Sequence, residues 1–195
     1  MQVNNLFGSP IWHYNITSID NNALKNYIID WKNHGESRFI SNVNGWQSND
    51  IPLDSQVFQK FFYNAQSILN SSFDELGGRT NEYKVVMDNC WANINTKGSF
   101  NWGHTHDGFL SLVYYVQADE DTGNIQFLHP SPLYQKNWDS SCFNNSSTST
   151  NSEWVFEPKT SRCLVFPSWL EHRVDVNNTE KIRISISLNS RLEKI

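Results

Sequence analysis

Apolar positions near the start of the chain recur at three- and four-residue spacing, the period of an amphipathic helix. This pattern predicts a first helix over residues 20–33, which Asp20 caps at its N-terminus and Gly35 ends. Its apolar face is formed by Leu24, Tyr27, Ile28 and Trp31.

The same spacing returns further along and predicts a second helix over residues 55–73, closed by Gly77 and Gly78. A short apolar stretch over residues 6–14 predicts an opening strand before both helices. The apolar positions of the second helix are Val57, Phe58, Phe61, Phe62, Ala65, Ile68 and Leu69.

After Gly78 the pattern changes to short stretches in which apolar and polar residues alternate, as they do in β-strands. The last of these places Arg183, Ser185 and Ser187 on a polar face opposite isoleucine and leucine side chains. A segment rich in Ser, Thr and Asn, residues 140–152, predicts a surface loop. The predicted strands are residues 83–95, 110–116, 124–128, 154–156, 162–166 and 181–188.

Helices followed by many strands indicate a mainly β fold, either an α+β arrangement or a β-sandwich with helical buttresses. A jelly roll is one such sandwich, and its concave mouth can hold a ligand. We expect residues 1–195 to form a single domain. In it, residues 1–80 form the helical buttress and residues 81–195 form the β core.

Composition narrows the class of protein. Eight Trp and twelve Phe among 195 residues exclude a disordered chain, because disordered chains lack apolar surface to bury. The net charge of −5, without a basic patch, argues against nucleic acid as the main partner. No apolar run approaches the ~18–20 residues that span a bilayer, and no secretory signal opens the chain.

Three widely spaced cysteines, Cys90, Cys142 and Cys163, predict buried free thiols rather than a disulfide framework. Together with the lack of a signal sequence, they predict a cytoplasmic protein with no membrane partner.

Three histidines are the candidate metal ligands. On an extended segment His104 and His106 point to the same side and can chelate one metal ion. The third ligand is predicted to be His172, just before a strand. Imidazole suits iron, zinc, copper and nickel, so the ligand type alone does not choose the metal. A turn at Asp107 would offer a carboxylate as an alternative to His106.

The last strand offers a candidate anion site. An arginine fork beside a hydroxyl, here Arg183 and Ser185, is a good receptor for a carboxylate. Tyr115 on a neighbouring strand could donate to the same carboxylate, and the amide of Asn93 could satisfy ligand oxygens. Trp46, Gln47 and Trp169 are candidates to line the pocket, although core packing is the favoured interpretation for the two tryptophans.

The order of these motifs resembles the 2-oxoglutarate/iron(II) oxygenase superfamily and, more narrowly, a 2OG-Fe(II) oxygenase family found widely in bacteria and phages. Each motif is weak alone, but the ordered set covers nearly the whole chain. The matching segments are residues 6–10, 45–48, 91–95, 104–106, 113–115, 166–172 and 183–189.

The resemblance implies a double-stranded β-helix that uses Fe(II), 2-oxoglutarate and O2, with His104, His106 and His172 as catalytic metal ligands. It implies that Arg183 and Ser185 bind the far carboxylate of 2-oxoglutarate, with help from Tyr115 and Asn93. The implied reaction converts 2-oxoglutarate to succinate and CO2 while an unknown small-molecule, peptide or protein substrate is oxidised, most simply by hydroxylation.

One position departs from the superfamily pattern. His106 stands where most members have an aspartate, so the site lacks one negative charge. Two alternatives therefore stay open. One is a three-histidine, cupin-like dioxygenase that uses no 2-oxoglutarate, and the other is a jelly-roll binding module without enzymatic activity.

Overall fold

The structure is a computed structural model that describes residues 8–131, 140–144, 147 and 150–195. Leu6 and Phe7, which begin the predicted opening strand and the first motif, lie outside the described residues. So does part of the predicted loop over residues 140–152, of which Ser140–Cys142 forms a short 3-10 turn.

Two helices match the hydrophobic pattern closely. Helix α1 spans Asn21–His34. The Asp20 carboxylate caps it by accepting hydrogen bonds from the backbone N–H groups of Asn22, at 3.1 Å, and Ala23, at 3.0 Å. Helix α2 spans Gln59–Glu75 and follows a 3-10 turn at Gln56–Phe58. No helix in the described part of the chain has the length and apolar character required to cross a membrane.

Two antiparallel sheets form the body of the molecule. The larger sheet contains β1 (Trp12–Asn15), β3 (Trp46–Gln47), β4 (Tyr83–Asn95), β6 (Leu110–Gln117), β9 (Arg162–Pro167) and β11 (Arg183–Lys194). The smaller contains β2 (Asn42–Val43), β5 (Phe100–His104), β7 (Ile125–Leu128), β8 (Glu153–Phe156) and β10 (His172–Val174). The strand order is β1-β9-β6-β11-β4-β3 in the larger sheet and β2-β5-β10-β7-β8 in the smaller.

The larger sheet divides the core into two parts. Ile184, Ile186 and Leu188 on one face of β11 are fully buried in the cluster that contains the apolar faces of α1 and α2. The polar face of β11 looks toward the smaller sheet, beside a second cluster that includes Phe127 and Phe166. The functional side chains therefore lie between the two sheets, while the helices cover the opposite face.

The first eighty residues are not purely helical. They also supply β1, β2 and β3, which pair with β9, β5 and β4 respectively. Strand β1 overlaps the predicted opening strand over residues 6–14, whereas β2 and β3, of two residues each, carry too little alternation to be recognised from sequence. The cysteines also differ in part from expectation: Cys90 and Cys163 are buried free thiols, whereas Cys142 is exposed.

Candidate metal centre

The three predicted histidine ligands meet between the sheets. His104 ends β5 and His172 begins β10, and the two residues are direct partners across these strands. Their ring centroids are 4.4 Å apart, and that of His106 lies 5.0 Å from each. Ligand nitrogens of all three lie within 4.8 Å of one another, close enough to share one metal ion.

His106 reaches the cluster through a turn and not through a continued strand, because β5 ends at His104. Its backbone N–H donates to the Ser168 carbonyl at 2.8 Å, and Phe109 N–H donates to the Ser190 carbonyl at 2.7 Å. Gly108 between them has a φ of +114°, and a Cβ there would lie 2.5 Å from the Ser190 oxygen. Only glycine fits this turn without displacing β11.

Backbone carbonyls orient two of the imidazoles. His104 Nδ1 lies 2.6 Å from the Trp102 oxygen, and His172 Nδ1 lies 2.9 Å from the Leu170 oxygen. A carbonyl can only accept, so each Nδ1 carries the proton and donates. The lone pair of each Nε2 is then free to bind a metal, a common arrangement behind histidine ligands.

Burial keeps the three imidazoles neutral. Desolvation, reinforced by the neighbouring rings, lowers the pKa of His172 to about 3 and that of His106 to about 4. Desolvation also lowers the pKa of His104. Neutral imidazole is the form that binds a metal, so the site is ready for one at neutral pH.

Asp107 is not part of this ligand cluster. It borders the same cavity, but among the described residues the metal-binding group contains the three histidines and no carboxylate. The geometry thus favours His106 over Asp107 as the third ligand.

A cavity of about 380 Å³ opens beside the histidines, and Arg183 lies in its wall. Arg183 is 2% exposed, and its Nη1 donates to the backbone carbonyls of Thr122, at 2.9 Å, and Gly123. Within the described residues, Nε and Nη2 have no hydrogen-bond partner and no carboxylate forms an ion pair with this guanidinium. Burial lowers the pKa of Arg183 and the proximity of Tyr115 and Asp175 raises it, but a guanidinium stays charged at neutral pH.

Gly123 allows this contact. Its φ is +97°, and a Cβ at this position would lie 2.3 Å from the backbone carbonyl oxygen of Asp175 and 2.8 Å from Arg183 Nη1. A buried cation that forms no ion pair is costly, so this end of the cavity is suited to an anionic ligand.

A row of polar side chains crosses the larger sheet next to Arg183. Direct strand pairing joins Gln47 to Asn93, Asn93 to Ser185, and Ser185 to Tyr115. All four line the cavity. Burial raises the pKa of Tyr115, so its hydroxyl remains a hydrogen-bond donor. Every residue predicted to contact a co-substrate is therefore on the same wall as Arg183.

Two of the three predicted lining residues lie elsewhere. Gln47 lines the cavity as predicted, but its neighbour Trp46 points to the other face of β3 and packs against Trp31 at 6.0 Å. Trp169 is 55% exposed and does not border the cavity. Sequence reasoning also missed Gly123, because a carbonyl that accepts from a distant arginine leaves no mark in the side-chain pattern.

The sequence also matches a known protein family. Residues 89–189, more than half of the chain, match the profile of a family described as "Putative 2OG-Fe(II) oxygenase". No curated protein matches the sequence.

Solved structures resemble the chain over nearly its whole length. HygX from Streptomyces hygroscopicus, with nickel and 2-oxoglutarate bound, has a TM-score of 0.63 at 11% identity, over 94% of this chain and 83% of HygX. A prolyl-4-hydroxylase from Pseudomonas putida gives 0.61 at 12%, over 93% and 91%. A prolyl hydroxylase from Trichoplax adhaerens, in complex with a peptide fragment, gives 0.60 at 14%, over 93% and 83%. These similarities confirm the fold predicted from the motif order.

Proposed function

Because the chain belongs to the 2OG-Fe(II) oxygenase family, we propose that His104, His106 and His172 hold its iron and that Arg183 anchors 2-oxoglutarate. The oxygenase activity and its need for iron, 2-oxoglutarate and O2 follow from the family. We further propose that the reaction hydroxylates the substrate.

The residues present fit the metal. Three neutral imidazoles, two of them oriented by backbone carbonyls, offer ligand nitrogens that lie within 4.8 Å of one another. Buried aromatic rings exclude water from one side, since Phe166 lies 4.7 Å and Phe127 5.8 Å from the His172 ring. When bound, the iron supplies the activation of O2 that amino-acid side chains cannot perform.

The residues present also fit the co-substrate, and the single observation that carries this assignment is the buried guanidinium of Arg183. Arg183 lines the cavity, and among the described residues its Nε and Nη2 have no hydrogen-bond partner and no carboxylate forms an ion pair with it. A carboxylate would accept from both and neutralise the charge. We assign Ser185 and Tyr115 as additional donors to that carboxylate, and Asn93 as a polar contact beside them.

The three-histidine ligand set has a consequence for affinity. Imidazole is neutral, so this cluster offers a divalent cation no compensating negative charge, unlike a set with one carboxylate. We expect weaker retention of Fe(II) in the absence of 2-oxoglutarate, since a carboxylate of the bound co-substrate would supply negative charge that the ligand set lacks.

The decisive experiment measures succinate formed from 2-oxoglutarate by anaerobically iron-loaded protein after air is admitted, with no prime substrate. We expect slow uncoupled turnover in the natural chain and none in His172→Ala, which should also lose its bound iron. The matched control is His34→Ala, which removes an exposed histidine from the end of α1 and should leave both readings unchanged. Tight retention of one Fe(II) by His172→Ala would refute the ligand assignment.

The three-histidine set also favours a second candidate, a dioxygenase that acts without a keto acid. The same assay separates the two, because this alternative requires iron but consumes no 2-oxoglutarate. The buried guanidinium of Arg183, which forms no ion pair among the described residues, favours the enzyme that uses 2-oxoglutarate.

The fold alone does not select one class of substrate. We propose a small molecule or a peptide, since structures similar to this one include complexes of both kinds: HygX with hygromycin B bound and the Trichoplax adhaerens prolyl hydroxylase with a peptide.

A further inference from the structure

A second polar row crosses the larger sheet beyond the metal centre. Asn189 on β11 pairs directly with Asn89 on β4 and with Ser111 on β6, and both asparagines line the cavity. Asn189 lies six residues along the strand from Arg183, which is about 20 Å in an extended chain.

The metal centre lies between this row and Arg183. The ring of His106 is 5.7 Å from that of Trp91. Trp91 pairs with Ser187, which lies between Arg183 and Asn189 on β11 and is nearer to Asn189. The asparagine row is therefore on the side of the metal centre away from the co-substrate anchor, where a prime substrate must be held.

Buried serines fix the orientation of Asn189. Ser111 Oγ lies 2.8 Å from Asn189 Oδ1 and 2.9 Å from Ser168 Oγ. The amide oxygen can only accept, so Ser111 donates to it, and Ser168 in turn donates to Ser111. Both serines are about 1% exposed or less, so these hydrogen bonds are shielded from water.

These hydrogen bonds leave the Nδ2 donor of Asn189 free. With Oδ1 held by Ser111, the Nδ2 amide group has no partner among the described residues, although the side chain is only 8% exposed. Ser168 also accepts the His106 backbone N–H through its carbonyl, at 2.8 Å. The same serine thus supports both a metal ligand and the asparagine.

Asn89 offers the complementary group. Its Oδ1 is buried and has no hydrogen-bond partner among the described residues, which is a costly arrangement. Directly paired residues have Cβ atoms ~4.5–5.5 Å apart, so the free donor and the free acceptor stand side by side. A ligand N–H can reach the oxygen after rotation about χ2, a torsion with a broad minimum in asparagine.

Charge at this end of the cavity selects against anions. Asp88 and Asp107 both border it. Asp88 is the extra residue of a β-bulge between β4 and β11, and Arg191 neutralises it at 2.6 Å. Asp107 has no ion-pair partner among the described residues, so a second carboxylate would be repelled there, whereas an uncharged group would not.

Resting on the proposed function, we propose that Asn189 and Asn89 are specificity-determining residues that recognise an uncharged amide group of the prime substrate. Asn189 Nδ2 donates to the amide oxygen, and Asn89 Oδ1 accepts from the amide N–H. Such an amide occurs in a peptide backbone and in small carboxamides, and the chemistry of recognition is the same for both.

The test uses ¹⁵N-labelled protein loaded with zinc and 2-oxoglutarate, in which the side-chain amide signal of Asn189 is identified by its loss in Asn189→Asp. N-methylacetamide should shift this signal saturably, and acetate should not. N,N-dimethylacetamide, which lacks the N–H, should bind about fivefold more weakly, the loss of one ordinary hydrogen bond. The exposed amide of Asn64 on α2 serves as an internal control in the same spectra.

The outcomes separate clearly. A response to acetate or methylammonium equal to that of the amide, or a shift without saturation, overturns the proposal. Asn89→Leu should abolish the difference between the two amides, and an unchanged difference also counts against it. A capped triglycine amide that saturates at lower concentration than N-methylacetamide identifies a peptide as the source, and the reverse order identifies a small molecule.

Failure of this inference is distinct from failure of the proposed function. Metal content and succinate formation report on the histidines and Arg183, whereas the amide titration is repeated on metal-free protein and reports on the asparagine row alone.

Discussion

Arg183 shows how much a single residue contributes to the site and how much of that contribution the sequence reveals. Its place on the polar face of the last strand was predictable from alternation alone. Its burial was not, because the carbonyls of Thr122 and Gly123 that hold it are sixty residues away in the chain. The sequence shows side chains, whereas the groups that hold Arg183 in place are backbone carbonyls.

Replacing Arg183 should affect the co-substrate far more than the metal. Arg183→Ala removes charged hydrogen bonds worth about 1.5–3 kcal/mol, so we expect the 2-oxoglutarate requirement to rise about ten- to a hundredfold. Arg183→Lys should recover only part of this affinity, because lysine keeps the charge but loses the planar fork. Titration of 2-oxoglutarate by succinate release measures the change.

The control for this pair is Arg79→Ala, which removes an exposed arginine that does not line the cavity. It should leave the 2-oxoglutarate requirement as it is. If Arg183→Ala lost iron and co-substrate affinity to the same degree, Arg183 would have a structural role and not the assigned one.

At the scale of elements, local periodicity predicted some strands well and missed others. The predicted range 83–95 coincides with β4, whereas β11 continues six residues beyond its predicted end at Leu188. Apolar alternation stops there because Asn189 and Ser190 are polar, yet both are buried by pairing with β4 and β6. Strands β5 and β10, which carry two of the candidate metal ligands, were not predicted, because β5 has no fully buried side chain and β10 has only three residues.

The turn after β5 gives a prediction for an element rather than a side chain. In Gly108→Ala a Cβ would approach the Ser190 oxygen to 2.5 Å at a φ of +114°, so the turn must move away from β11. His106 lies two residues earlier and should move with it. We expect iron retention to fall and stability to drop by about 1–3 kcal/mol.

Gly98→Ala is the matched control, because Gly98 also has a positive φ, +79°, but nothing lies within 4 Å of a Cβ there. Both variants carry backbone strain, and only Gly108→Ala disturbs the metal centre. Metal analysis and thermal unfolding distinguish the two. Equal iron content in both variants would show that the turn does not position His106.

For the whole molecule, the motif order and the change from helical to strand periodicity predicted a mainly β fold with N-terminal buttressing helices. Which face of each strand meets the helices could not be derived, because pairing between distant strands such as β1 and β9 leaves no local trace. The division at residue 80 into a single domain's buttress and core stays a prediction.

The buried charge of Arg183 should make the stability of the whole molecule depend on 2-oxoglutarate. A ligand that binds only the folded state at one hundred times its Kd stabilises that state by about 2.7 kcal/mol. For a chain of this size that corresponds to a rise in Tm of roughly 5–11 °C. Thermal unfolding with and without 2-oxoglutarate measures this shift, and Arg183→Ala should show a much smaller one.

The same unpaired guanidinium has a consequence for the lifetime of the protein in a cell. Proteases cut chains that open transiently, and when opening is fast the rate follows the population of the open state. A dicarboxylate that neutralises Arg183 lowers that population about a hundredfold at one hundred times its Kd. Starvation for this central metabolite would then remove the protein by degradation as well as stop its reaction.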